Sequence, residues 1–159
     1  MCDNLLRVLF PHLAAVLVGR VSLVGCVVRV DARAREVARP CPDCGANSVR
    51  VHSWYQRSLD DAPVGGRSVV VQLSVRRLYC DALECRRRSF TEQIDGLTVP
   101  YGRRTTTLAA MLHEIALALA GRAGARLAAA LHVTVSRTTL LNMVIALPDL
   151  PCWSQEFSG

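Results

Sequence analysis

The sequence predicts an α+β protein in which a small antiparallel β module precedes a module of three helices. Three observations carry this. Two cysteine pairs, Cys41/Cys44 and Cys80/Cys85, bracket stretches of alternating apolar and polar residues. A glycine turn, APVGGR, joins two of those stretches, and after Pro100 the composition switches to an Ala- and Leu-rich run with helical spacing.

Taken in order, Leu5 to Arg20 is apolar with helix-like spacing. From Val21 to Arg39 the pattern turns to strand: VSLVGCVVRV, a polar break at DARAR, then EVAR leading to Pro40, which reads as a hairpin feeding the first cysteine pair. Ser48 to Leu59 alternates, with Val49, Val51 and Tyr55 on one side and Arg50, His52, Trp54 and Gln56 on the other. After APVGGR, Ser68 to Cys80 alternates again, with Val69, Val71, Leu73 and Val75 on one face. From Thr105 onward Leu108, Leu112, Ile115 and Leu119 recur at helical spacing, and breaks at Gly121/Gly124 and at His132–Val135 divide the run into three helices ending at Pro148. The boundary between modules falls near Tyr101 to Arg104, so residues 1–100 form a β-rich domain with an N-terminal helix, 101–148 a helical domain and 149–159 a tail.

A chain of 159 residues can bury a hydrophobic core without relying on disulfides. All 19 cationic side chains are arginine, against 13 carboxylates, for a formal charge of +6. That charge suits a polyanionic partner, nucleic acid first, although a GC-rich coding bias also yields Arg in place of Lys. The apolar run Leu5–Val18 is interrupted by Arg7 and His12 and falls short of the ~20 residues that span a bilayer, so neither a membrane span nor a secretory segment is expected. The expected compartment is the reducing cytoplasm, where paired cysteines read as metal ligands or redox groups.

The constellation is C-x2-C, 35 intervening residues, then C-x4-C. Zinc takes four soft ligands at tetrahedral corners ~2.3 Å away, and each short cysteine turn supplies one edge of that tetrahedron. Gly45 in CPDCG suits a tight knuckle. Cys41, Cys44, Cys80 and Cys85 are therefore the candidate ligands of a structural Zn²⁺ in a zinc-ribbon-like module. A redox C-x-x-C would be followed by a helix, but here an extended stretch follows; structural disulfides conflict with the compartment. His52 could replace a thiolate, whereas Cys2, Cys26 and Cys152 lack paired spacing. Arg76, Arg77, Arg86, Arg87 and Arg88 crowd the second pair, either as a phosphate-binding surface or as a solvated charge run that neutralises the cluster.

The stretch RLAAALHVTVSRTTLLNMV has the grammar of a helix-turn-helix. Leu127, Ala128 and Leu131 belong to a first helix, Ser136 is the N-cap of a second, and Leu140, Leu141 and Val144 face inward. Arg137, Thr138 and Asn142 then point outward, and with Ser136 they are the candidate groove- and phosphate-contacting residues. Plain helical packing or dimerisation is the alternative, and His132 stands where a glycine is often found.

The stretches CPDCG, HSWYQRSLDD, VRRLYC, CRRRSFTEQ and GRAGARLAAALHVTVSRTTLL together resemble the N-terminal part of the ISL family of bacterial insertion-sequence transposases, over about Leu5 to Leu147. The resemblance implies a zinc-binding domain and a helix-turn-helix that recognise the double-stranded terminal inverted repeats of the element, with a homodimer or the full-length transposase as further partners. In that family a catalytic domain with three metal-binding carboxylates follows. Beyond Ala120 only Asp149 and Glu156 are acidic here, so the expectation is a non-catalytic DNA-binding part of a transposase, lacking its catalytic domain. Asp60 and Asp61 read as turn or cap residues. The rival reading is a transcription-type zinc and helix-turn-helix regulator or a protein-interaction module.

Overall fold

The protein is described by a computed structural model over residues 2–146. The predicted helix end at Pro148, the tail at 149–159, Asp149, Cys152 and Glu156 lie outside those residues. Helix α1 (Cys2–Leu9) is followed by a 3₁₀ turn (Pro11–Ala15), strands β1 (Val16–Val24) and β2 (Val27–Ala34), and the short β3 (Arg39–Pro40) and β4 (Asn47–Ser48). Then come β5 (Val51–Val64), β6 (Arg67–Tyr79), β7 (Ser89–Thr91) and helices α2 (Thr106–Leu119), α3 (Gly121–Ala130) and α4 (Arg137–Ile145). Among the described residues no helix is long and apolar enough to cross a membrane.

The main sheet runs β1-β2-β6-β5, with β7 joining the far end of β6. Alternation along β6 explains its centrality. Val69, Val71, Leu73 and Val75 are each at most 2% exposed and pack with Val30, Ala32 and Ala34 of β2, Leu59 of β5, and Ile94 and Leu97 from the segment after β7. The 3₁₀ turn closes this core with Phe10 and Leu13. The β5–β6 hairpin turns at Gly65–Gly66, both with positive φ, as the glycine signal anticipated.

Three expectations need correction. The N-terminal helix stops at Leu9 because Pro11 lacks an amide donor and its ring crowds a continuing helix; Val16 to Arg20 are strand. The polar stretch DARA is not a break but the end of β2, since Arg29 and Asp31 share the open face and pair at 2.8 Å while Ala32 and Ala34 point into the core. The turn lies instead at Gly25–Cys26, with Gly25 at φ +61°. Finally, the sheet is not wholly antiparallel. β2 pairs parallel to β6 in the register Val30↔Val71, because the chain crosses through the cysteine region and β5 before returning beside β2.

The helices pack around Leu108, Leu112, Ile115, Ala128, Val133 and Leu140. Gly124 sits at their crossing: a Cβ there would meet Leu140 Cδ1 at 3.0 Å and Ile115 Cγ2 at 3.4 Å. A buried carboxylate helps to fasten this helical unit to the sheet. Asp61, 3% exposed, accepts the Thr105 hydroxyl at 2.5 Å and lies 2.7 Å from His12 Nε2, while Thr105 Oγ1 accepts the Leu108 amide and caps α2. The backbone adds Asp60 N to Arg103 O and Thr105 N to Asp60 O, both 2.9 Å. Asp61 thus ties the N-terminal turn, β5 and α2 together.

Replacing Asp61 by Ala strands a buried hydroxyl and an imidazole, and is expected to lower unfolding free energy by about 3 kcal/mol. Asp60→Ala, on the exposed side, should stay within about 0.5 kcal/mol of wild type. Urea denaturation of both variants checks this; equal costs would contradict the role given to Asp61.

Candidate metal centre and nucleic-acid interface

The two cysteine turns are delivered by different means. β3 and β4 pair as a minimal ladder, Arg39↔Ser48 and Pro40↔Asn47, and the first turn is the loop between them. Cys41 N donates to Ala46 O at 2.9 Å and Gly45 N to Cys41 O at 2.8 Å, with Gly45 at φ +74°. That conformation is open to glycine at little cost and explains the fifth residue of CPDCG. The second turn leaves the end of β6 and returns as β7, held by Cys80 N to Arg88 O at 3.0 Å and Cys85 N to Ala82 O at 3.1 Å. Leu78 and Phe90, paired across β6 and β7, form the apolar support on which Cys41, Cys80 and Cys85 rest.

The four sulfurs converge. Those of Cys41, Cys44, Cys80 and Cys85 all lie within 4.8 Å of one another, and Cys44 and Cys80 approach to 3.5 Å. A tetrahedral zinc with ~2.3 Å bonds needs sulfurs about 3.8 Å apart, so the donor set fits that ion in both geometry and softness. His52 is not in the set: its ring lies 4.8 Å from the Tyr79 ring and its Nδ1 meets the Ser53 hydroxyl. Cys26 is an exposed free thiol at the β1–β2 turn.

Local electrostatics separates the thiols. Burial opposes ionisation of Cys41, but the amides of Asp43 and Cys44 and the neighbouring thiols outweigh it, bringing Cys41 down to about 7. At Cys80 the Ala82 amide favours the thiolate, yet burial and hydrogen bonds shared with the other thiols push it up to about 12. Cys85 is also raised: the Arg87 amide is outweighed by burial and the Cys44 hydrogen bond. Cys80 and Cys85 therefore hold their protons at neutral pH until a cation displaces them.

Two ion pairs that the spacing did not announce brace the turns. Arg87 Nε meets Asp43 Oδ2 at 2.8 Å, linking the second turn to the first. Arg50 pairs with Asp81 and stacks 4.2 Å over Tyr79, fixing the start of the second turn to β5.

Residues 38–85, which include all four cysteines, match the model of one protein family: the zinc-finger of transposase IS204/IS1001/IS1096/IS1165. The centre is a structural zinc site within a segment similar to that transposase zinc-finger. No curated protein and no solved structure matches the chain.

Around the zinc ribbon, the candidate phosphate-contacting arginines divide. Arg77, Arg86, Arg87 and Arg88 are exposed, with Arg77 Nε donating to Ser89 Oγ. Arg76 is not available: it is 2% exposed, its guanidinium donates to Glu92 at 2.7 Å and to the Arg35 and Val37 carbonyls, and Glu92 is itself 1% exposed. A sealed ion pair with both ends satisfied holds β6 and the residue after β7 to the segment between β2 and β3, so Arg76 is withdrawn as a DNA contact.

In the helical unit, Ser136 accepts the Thr139 amide at 3.0 Å, which makes it the N-cap of α4. Arg137, Thr138 and Asn142 are exposed on α4. Ala128 and Leu140 are buried and Val144 is half-buried, but Leu127, Leu131 and Leu141 are each about two-fifths exposed, so Leu141 does not face inward as expected. His132, where a glycine is usual, adopts φ +62° and its carbonyl accepts the Ser68 hydroxyl at 2.6 Å, docking the turn on the β5–β6 hairpin.

Zinc loading should displace protons, so its apparent affinity is expected to fall as pH drops and to keep rising with pH through the neutral range while the Cys80 proton remains to be removed. Competition with a chromophoric chelator across pH 6 to 9 checks the slope. One zinc per chain is expected, lost in Cys41→Ser and Cys85→Ser, and a pH-independent affinity would contradict the assignment.

Proposed function

We propose that the protein is a non-catalytic DNA-binding part of a transposase, which recognises the terminal inverted repeats of an insertion sequence through its zinc ribbon and a helix-turn-helix made by α3 and α4. The observation that carries this reading is the four-cysteine centre inside a segment that matches a transposase zinc-finger. The basic balance of the chain supports it, as does the exposure of Arg86, Arg87 and Arg88 beside the metal. Strand cutting with two metals uses clustered carboxylates. In this reading that chemistry resides in another part of the transposase, a full-length copy or a second copy of this chain is the protein partner, and the site of action is the cytoplasm.

The two modules divide the work by chemistry. Arg86, Arg87 and Arg88 meet phosphates; the Arg87 pair with Asp43, about half exposed on both sides, is weak enough to exchange for a phosphate oxygen. Arg137, Thr138 and Asn142 on the first turns of α4 reach base edges, with Ser136 holding the N-terminus toward the backbone. An Arg presents a bidentate fork to guanine and Asn one to adenine.

Arg137→Ala and Asn142→Ala are therefore expected to cost roughly 1 to 3 kcal/mol on inverted-repeat DNA and to narrow its preference over random DNA. Neutralising Arg86 to Arg88 should weaken both DNAs alike and flatten the salt dependence by about one unit of slope per lost phosphate contact. Binding isotherms over a salt series check both. Wild-type affinity in folded α4 variants would assign the helices to packing.

A further inference from the structure

A groove of about 680 Å³ opens between the zinc ribbon and the start of the helical unit. Its floor is apolar and ring-rich, with Pro40, Tyr55, Phe90 and Pro100, and Phe90 also supports the cysteines. Arg87 and Arg103 are exposed at its rim, and Arg39 and Arg57 are half-buried in its lining. The two carboxylates in the lining are engaged by arginine, Glu92 by Arg76 at 2.7 Å and Asp95 by Arg39 at 3.5 Å. Arg39 Nε is a buried donor without a hydrogen-bond partner, 3.8 Å from Glu92 Oε2. A groove lined by rings, with guanidinium groups at its rim, has the chemistry of a nucleobase site with phosphates at its mouth.

One residue at the lip is held against its own preferences. Val99, Pro100, Tyr101 and Gly102 form a turn closed by Gly102 N to Val99 O at 3.0 Å, with proline second and Tyr101 third at φ +59°. That third position normally takes glycine or asparagine, because a side chain there is strained. Tyr101 is nevertheless 100% exposed, so none of the described residues packs against the ring to offset the strain. Arg57 fixes the turn by donating through Nη2 to Val99 O at 3.0 Å and to Gly102 O at 2.8 Å. A Cβ at Gly102 would strike Val99 Cγ2 at 2.6 Å, so the turn has little freedom to relax.

We propose that this groove takes unpaired nucleotides of DNA, one or two bases of a single-stranded end or displaced strand, with a base stacked on the Tyr101 ring and phosphates met by the arginine rim. This rests on the DNA-binding reading above and adds to it a preference for unpaired ends. Arg57 acts as a positioning residue, since its guanidinium is committed to the turn that presents the tyrosine.

The test uses the zinc-loaded chain and two DNAs of one sequence, a blunt duplex and the same duplex with a short single-stranded overhang carrying 2-aminopurine. The overhang DNA is expected to bind about 10-fold more tightly, the effect of one base stack, with quenching of the 2-aminopurine. Tyr101→Ala should abolish both the advantage and the quenching while leaving blunt-duplex affinity unchanged, and Tyr101→Trp should retain them. Equal affinity for the two DNAs without quenching overturns the groove assignment alone. Failure to bind either DNA overturns it together with the DNA-binding reading.

Discussion

The alternation of β6 is the constraint on which the rest of the structure depends. On one side Val69, Val71, Leu73 and Val75 fill the core, and a slip of one residue would exchange them for Val70, Gln72, Ser74 and Arg76. The register that buries the valines also places β2 alongside in parallel, β5 in antiparallel and β7 at the end, and it delivers Cys80 to the cluster. The metal therefore does not build the sheet. It closes the loops that the sheet brings within reach, and zinc binding energy in such a module acts as local folding energy.

Much of this was readable from residue order. The β5–β6 hairpin, its Gly65–Gly66 turn, the four sulfurs and the Ser136 cap follow from short-range rules: period two, a glycine pair, cysteine spacing and a hydroxyl before a helix; the first helix break falls at Gly121 as expected, whereas Gly124 lies inside α3. What escaped was set by contacts distant in sequence. The spacing of arginines around Cys80 gives no sign that Arg76 meets Glu92, because that pair depends on β7 folding back. DARA looks like a break until β6 supplies a partner that buries Ala32 and Ala34. Asp61 looks like a turn residue until His12 and Thr105, 49 and 44 residues away, are seen to share it. The run VPYGRR marks a boundary in composition, and only the backbone shows that a tyrosine occupies a glycine-like position there.

These long-range contacts also place the functional groups relative to one another. Phe90 belongs both to the apolar support of the cysteines and to the floor of the arginine-rimmed groove, and Arg87 bridges the two cysteine turns at the same rim. At the opposite end, Ser68 and Asp61 fix the helical unit to the β5–β6 hairpin, so α4 is presented at a set position from the ribbon. In the DNA-binding reading proposed above, a zinc ribbon and a helix held on one hairpin address adjacent stretches of a duplex without a flexible linker. Loss of the metal would loosen one contact surface and the groove while sparing the helical core.

That division of labour between sheet and metal is tested most directly by hydrogen–deuterium exchange on the zinc-loaded and chelated protein. The account predicts that chelation exposes amides of Arg39–Ser48 and of Cys80–Thr91 while Val69–Val75 and the core of α2 keep their protection. Uniform loss of protection across β6 and the helices on chelation would contradict it, and would make the metal, rather than the alternation of β6, the foundation of the fold.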